Sequence, residues 1–362
     1  MHARSVLVFP AGMPGCIQWA RQSSNRGWRV VGASSLVHDP ARGNYPEWAF
    51  LPWIRDAEFA PALARCVNEH GIDGVYTAHP VVWPVLRELL PQIDGGIQLE
   101  SAQPWSDELA EYREYRTVAG RLVEAPLPVA ARGDLRPVLP AMLAAGLVRQ
   151  FQLIPGQCDY PKLEALMAIS RRMPRGDVVE IGSLFGRSAV VLAFLSRHYG
   201  IGNVLCVDPW QADGLRQGDP ELDKVWEDLP VGEVFDAFRM NLAPFEGGVN
   251  YLRAPSANAA ARYARERTIT TTDFGTTRTT GQIALLHIDG NHAADCVRCD
   301  VALWSGYVMP HGWIVFDDYC WPFGDGPRRV ADHFHSRLRD ETSCAFVAGG
   351  ALFLQAGDSG FK

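Results

Sequence analysis

Three acidic residues stand where two apolar runs stop: Asp289 follows LLHI, and Asp317-Asp318 follow WIVF. If these runs are neighbouring parallel strands, their carboxyl ends converge on one crevice. Three carboxylates there repel one another, and a divalent cation would compensate them. Ligation by oxygen alone suits a hard ion such as Mg²⁺ or Ca²⁺, with Mn²⁺ also suited. The alternative stays open that Asp317 and Asp318 cap the next segment while Asp289 meets a cofactor or solvent. His292 carries an imidazole, the side-chain type most often used for proton transfer. It reads either as a general base or as a helix-start residue bonded to backbone or cofactor. Tyr319 and His311 are secondary candidates for the base, whereas His333 and His335 read as surface residues.

A second constellation is VVEIGSLFGRS, residues 178–188, which follows one apolar run and opens a helix. Gly182 and Gly186 let the backbone turn tightly and approach a ligand. Helix amides near Arg187 and Ser188 could face an anionic group. The spacing is G-x-x-x-G, not the G-x-G-x-x-G of pyrophosphate sites. Asp208, 22 residues after Gly186, ends the run NVLCV. A carboxylate there is placed to accept from both hydroxyls of a ribose; the plainer reading is a tight turn plus a surface Asp. Trp210 either shields an adenine or packs. Cys296 and Cys299 form a C-x-x-C without a second pair at zinc spacing, so packing on one helix face is expected rather than metal or redox use.

These residues need strands and helices in alternation to bring them together. Strands are expected at 5–9, 28–33, 72–77 and 97–100, with helices near 16–24, 58–69 and 82–90. A second run has helices near 160–172, 187–199, 293–304 and 328–339. Its strands fall at 178–181, 203–207, 249–252, 283–288, 313–316, 344–347 and 351–355. Alternation of this kind implies right-handed crossovers and a mainly parallel sheet. Gly349-Gly350 between the last two strands signals a hairpin, so the final strand runs antiparallel. Residues 125–157 are rich in proline and small residues and read as a linker. It would join a domain at 1–124 to one at 158–362. The Thr-rich stretch 268–280 reads as a surface loop or lid, and 211–226 as a pocket wall.

The bulk numbers set limits. The chain has 362 residues, 34 Lys+Arg and 41 Asp+Glu, a net charge of −7, with 47% hydrophobic and 21% charged residues. This is ordinary globular composition. The mild acidity gives no support for a broad nucleic-acid surface. No apolar stretch approaches the ~20 residues a membrane helix needs. The opening segment lacks the apolar core of a secretory signal, so a cytoplasmic location is expected.

The turn carrying Glu180, Gly182 and Gly186, the following Asp208 and the closing hairpin together resemble class I S-adenosylmethionine-dependent methyltransferases, over roughly 150–355. The block LLHIDGNHAADCVRCDVALWSGYVMPHGWIVFDDY, 285–319, narrows the likeness to metal-dependent O-methyltransferases of antibiotic and sugar tailoring. These are the macrocin O-methyltransferase type and the related cephalosporin-hydroxylase-like group. The resemblance implies an α/β fold with a Rossmann-like seven-stranded sheet, last strand antiparallel. S-adenosylmethionine would lie across the carboxyl ends of its first strands. Glu180, Gly182, Ser183, Gly186, Arg187, Ser188, Asp208, Trp210, Ser256, Ala257 and Asp289 would bind it, with Gly182 and Ser183 at the methionine half, Asp208 at the ribose, and Ser256 with Ala257 at the adenine. Mg²⁺ or another hard divalent cation would sit on Asp289, Asp317 and Asp318. Asp289 and His292 would serve catalysis. In macrocin-type relatives the second residue after the first metal Asp is a carboxylate proposed as base. Asn291 occupies that position here, a departure that turns attention to His292.

The stretches VLVFPAGMPG, VVGASS and EHGIDGVYTAHP in the first third resemble the smaller Rossmann-like α/β domain that precedes the ATP-grasp domain of ATP-dependent ligases. No ATP-grasp lobes follow, so a substrate-holding or dimer-forming module is expected. The chemistry expected is divalent-metal-assisted methyl transfer to a hydroxyl of a sugar or natural-product small molecule. The partner is thus a small molecule, with no nucleic acid or membrane, and a homo-oligomer is left open. A nicotinamide-dependent oxidoreductase and a non-catalytic nucleoside-binding module stay as alternatives.

Overall fold

The computed structural model describes residues 4–217 and 220–361. The chain forms two compact units, one up to Arg113 and one from Glu114.

The first unit alternates β1 (Ser5–Val8), α1 (Pro14–Asn25), β2 (Arg29–Ser34), β3 (Glu47–Phe50), α2 (Phe59–His70), β4 (Gly74–Tyr76), α3 (Val82–Ile93) and β5 (Gln98–Leu99). Its sheet is parallel throughout, in the order β3-β2-β1-β4-β5. β3 lacks an expected counterpart because EWAF is an edge strand with no fully buried position, so it shows no apolar run. The division between the units falls inside α4 (Ser106–Glu124).

The second unit continues with α5 (Ala141–Leu153), α6 (Tyr160–Ser170), β6 (Asp177–Ile181), α7 (Arg187–Tyr199), β7 (Val204–Val207), α8 (Ala212–Leu215), α9 (Pro220–Glu227), α10 (Val231–Leu242), β8 (Val249–Leu252) and α11 (Ser256–Arg265). Then come β9 (Thr268–Thr271), β10 (Gly275–Arg278), β11 (Ile283–Ile288), α12 (Ala294–Trp304), β12 (Val308–Phe316), α13 (Gly326–Arg337), β13 (Thr342–Ala348) and β14 (Ala351–Ala356). The seven-stranded order is β13-β14-β12-β11-β6-β7-β8, with β14 antiparallel to both neighbours. The two central strands, β6 and β11, are buried at every position, as continuous apolar runs covered by helices on both faces should be. The order reverses between β6 and β11, so a crevice opens above their carboxyl ends.

Two expectations are corrected here. Residues 125–157 are not a free linker. Ala144, Leu147, Val148 and Phe151 of α5 lie in the core of the second unit, as do Val118 and Leu122 of α4. The proline-rich stretch before α5 is tied to the sheet, because the buried Gln355 side chain accepts from the Arg132 N–H and donates to its carbonyl. Proline blocked regular structure there without preventing packing. The Thr-rich stretch is not a lid. It forms the antiparallel ribbon β9–β10, held by the buried Asn250 side chain, which donates to the carbonyls of Ile269 and Gly275 at 3.0 Å each. Among the described residues no helix is long and apolar enough to cross a membrane.

Candidate active site

A cleft of about 730 Å³ lies over the carboxyl ends of β6, β7, β11 and β12. That volume lies within the usual range for small-molecule sites. Gly182 starts its floor. With φ at +82° it occupies the left-handed region, and a Cβ there would collide with the Asp289 carbonyl, so the two central strands close up only over glycine. Ser183, Arg187 and Ser188 follow it along the wall. Arg187 donates to the Gly156 carbonyl at 2.6 Å and lies over the Phe151 ring, so its guanidinium is committed to the wall. Ser256 and Ala257 reach the cleft from the start of α11.

Asp208 is placed at the cleft by the end of β7, and its carboxylate already has work. Oδ2 accepts from the Ser183 and Leu184 N–H groups at 3.0 Å each, and Oδ1 from the Trp210 N–H at 2.7 Å. Burial raises its pKa, against the lowering effect of these three bonds. A carboxylate offers about four lone-pair sites. Asp208 therefore has room for one further hydroxyl, not for both hydroxyls of a ribose.

Three expected cofactor contacts do not reach the cleft. Trp210 is only 2% exposed, and its ring packs on Phe235 and Phe238 at 4.8 and 4.5 Å while its indole donates to the Leu184 carbonyl. The packing alternative is the right one for it. Gly186 turns away from the ligand side, against Phe238 and Leu242, and opens α7 with φ at +84°. Glu180 is fully buried: Oε2 accepts from the Ser183 hydroxyl at 2.6 Å, and Oε1 pairs with His287 Nδ1 at 3.0 Å. Its side chain holds Ser183 and His287 and does not line the cleft.

The carboxylate triplet is divided. Asp289, Asp317 and Asp318 all line the cleft, but their ligand atoms gather in two sets: His287, Asp289 and Asp317 inside, and Asp289, His292 and Asp318 outside. The inner set holds its own cations. The Lys162 ammonium from α6 is hydrogen-bonded to Asp317 Oδ2, and His287 Nε2 reaches the same oxygen at 3.3 Å. Asp317 Oδ1 accepts the Asp318 N–H at 2.9 Å. Burial works against both cations, yet Asp317 and Glu180 hold His287 up at about 10, and Asp317 leads in holding Lys162 above the ordinary lysine value. Burial would also neutralise Asp317, but Lys162 and His287 outweigh it and keep this carboxylate ionised. Asp289 has its pKa pushed far up by burial and by the negative Asp317. An ion shared by Asp289, Asp317 and Asp318 would meet the Lys162 ammonium and His287 already paired with Asp317 Oδ2.

Within the outer set, His292 and Asp318 form a dyad. His292 Nε2 lies 2.8 Å from Asp318 Oδ2, and His292 Nδ1 is buried without a hydrogen-bond partner among the described residues. Asp318 has φ at +51°, an uncommon conformation for a non-glycine residue. The ring meets Trp321 edge-on at 4.5 Å, and the His292 N–H donates to Gln217 Oε1 at 2.7 Å. Asn291 caps the turn into α12 by accepting from the Ala293 N–H. The secondary candidates do not border the cleft: Tyr319 donates to Asp332, and His311 sits beside Asp358.

Residues 179–319 match the family described as a methyltransferase domain. The second unit therefore carries a methyltransferase domain over these residues. No curated protein matches the chain. Among solved structures it is similar to the O-methyltransferase NovP, at 16% identity and a TM-score of 0.39 over 70% of this chain and all of that one. CalS11, a TDP-rhamnose 3′-O-methyltransferase of calicheamicin biosynthesis, matches at 16% identity and a TM-score of 0.37 over 70% of this chain and 96% of its own. The MycE methyltransferase of the mycinamycin pathway, solved with Mg and SAH, matches at 14% identity and 0.37 over 60% of this chain and 56% of that one. Likenesses this distant carry no argument about chemistry.

Sequence reasoning missed Lys162, His287, Cys158 and Asp300, all within or directly beneath the methyltransferase cleft. His287 left a signal, an imidazole inside the apolar run IALLHI; Lys162 left none, since its partner is 155 residues away. Asp300 borders the cleft beside Ser256, and burial pushes its pKa up to about 6. Cys296 and Cys299 are exposed and line the same wall, so they do not pack into the core as expected. Their helix turns this face to the cleft.

Proposed function

We propose that this methyltransferase moves a methyl group from S-adenosylmethionine to a hydroxyl oxygen of a sugar or natural-product small molecule, with His292 as general base. The observation that carries the reading is the Asp318–His292 dyad standing in the same cleft as the Gly182 turn and Asp208. The cofactor supplies a methyl group on a positively charged sulfur. The chain's residues then have three tasks. Gly182, Ser183 and Asp208 hold the nucleoside end in place and so fix the direction of an in-line displacement, where alignment supplies much of the rate. Asp318 holds one nitrogen of His292, as the carboxylate of a catalytic triad does, and fixes the tautomer. His292 would accept the acceptor hydroxyl's proton, the general-base task that methyl transfer to oxygen requires. No step is assigned to a divalent cation. The first unit, which has its own core, is proposed as a substrate-holding or dimer-forming module.

The test is calorimetry with S-adenosylhomocysteine and NADPH, followed by transfer of labelled methyl to a panel of glycosides and phenols. Micromolar binding of S-adenosylhomocysteine is expected, weakened about tenfold or more by Asp208→Ala. Binding of NADPH in its place, or labelled product formed equally well by His292→Ala, would defeat the reading.

A further inference from the structure

We propose that Lys162 is the built-in cation of this cleft, filling at Asp317 the place where a divalent ion would otherwise sit. A lysine is almost never fully buried unless paired, and Lys162 is 3% exposed. Its position is fixed by the fold, because a long flexible side chain would otherwise reach for water. Asp159 caps α6 by accepting the Lys162 N–H at 2.9 Å, while Leu163 and Leu166 anchor the next turn in the core. Across from it, Gly349 turns between β13 and β14 with φ at +56°, so close that a Cβ would overlap the Asp159 carboxylate and the Lys162 backbone nitrogen. Helix start and sheet turn thus clamp the ammonium over the end of β12.

The Lys162 ammonium is hydrogen-bonded to Asp317 Oδ2, and from there a chain of contacts runs through His287 and Glu180 to Ser183, with Asp289 beside it. A divalent ion at Asp317 would stand beside the Lys162 ammonium hydrogen-bonded there, and in a buried site such repulsion is little screened. An ammonium has three N–H bonds, and one goes to Asp317. Lys162 also borders the cleft, so the remaining donors are placed to hold an acceptor oxygen or its developing negative charge.

The experiment uses the full chain and needs no known acceptor. Mn²⁺ binding is followed by electron paramagnetic resonance, and thermal melting with and without Mn²⁺, for wild type and Lys162→Met. Wild type is expected to take up no Mn²⁺ that depends on Asp317: any ion held by the outer Asp289, His292 and Asp318 set should persist in Asp317→Asn. Lys162→Met is expected to melt lower, to gain an Mn²⁺ site at least about tenfold tighter than any in wild type, and to recover melting temperature on binding it. Stoichiometric Mn²⁺ uptake by wild type that Asp317→Asn abolishes would overturn the proposal, and this arm stands even if Lys162→Met does not fold. A folded Lys162→Met that gains no site would overturn it as well. S-adenosylhomocysteine affinity measured alongside reports on the proposed function separately, and its loss would not move the Mn²⁺ result.

Discussion

At His292 one ring nitrogen is held by Asp318 and the other is buried without a partner among the described residues, so the two residues have separable effects. His292→Ala is expected to lower kcat about 10²–10⁴-fold while S-adenosylhomocysteine affinity stays within about threefold, since the imidazole serves proton transfer. Asp318→Asn should act through the tautomer, lowering kcat while S-adenosylhomocysteine affinity stays unchanged. His287 makes a different prediction, about stability. Its imidazole titrates near 6.5 when free and near 10 in the fold. Between those pH values the native state holds the extra proton, so stability falls as pH rises. The contribution is full below about 6.5 and gone above about 10, on the order of a few kcal/mol. Urea unfolding at pH 6.5, 8 and 10 should show this slope in wild type and a flatter one in His287→Gln. Trp210 separates packing from binding: Trp210→Phe should leave cofactor affinity unchanged, and Trp210→Ala should cost about 3–5 kcal/mol of stability.

At the scale of elements, the site depends on how closely β6 and β11 approach. Gly182 follows β6, and its N–H donates to the Val207 carbonyl at 2.8 Å while the Asp289 N–H donates to the Ile181 carbonyl at 2.8 Å. One glycine therefore sits among the ends of three strands. Gly182→Ala places a side chain in the left-handed region, costing about 1–2 kcal/mol, and pushes on the Asp289 carbonyl besides. It should lower the melting temperature by several degrees and weaken S-adenosylhomocysteine binding, both measurable by a thermal-shift titration. The same Ala at Gly247, which has positive φ but open space, should cost stability without touching affinity.

For the molecule as a whole, the two units have separate cores, with Leu7, Val31 and Leu63 in one and Leu166, Val190 and Trp313 in the other. Calorimetry should resolve two transitions, and S-adenosylhomocysteine at about 100 times its Kd should stabilise only the methyltransferase unit, by about 2.7 kcal/mol. Strand and helix alternation, the antiparallel last strand and the cleft's acidic residues were readable from sequence because each is a local pattern: an apolar run, a glycine turn, a charge at a strand end. The linker and lid readings failed for the converse reason. Proline and threonine describe what the backbone avoids, whereas Gln355 and Asn250, far along the chain, decide where those segments pack. Asp317 shows the same division at one side chain. Its place at the end of β12 follows from WIVF, but whether a metal or a lysine faces it depends on α6 crossing the sheet there, and electrostatics acts through space, blind to the 155 residues between Lys162 and its partner.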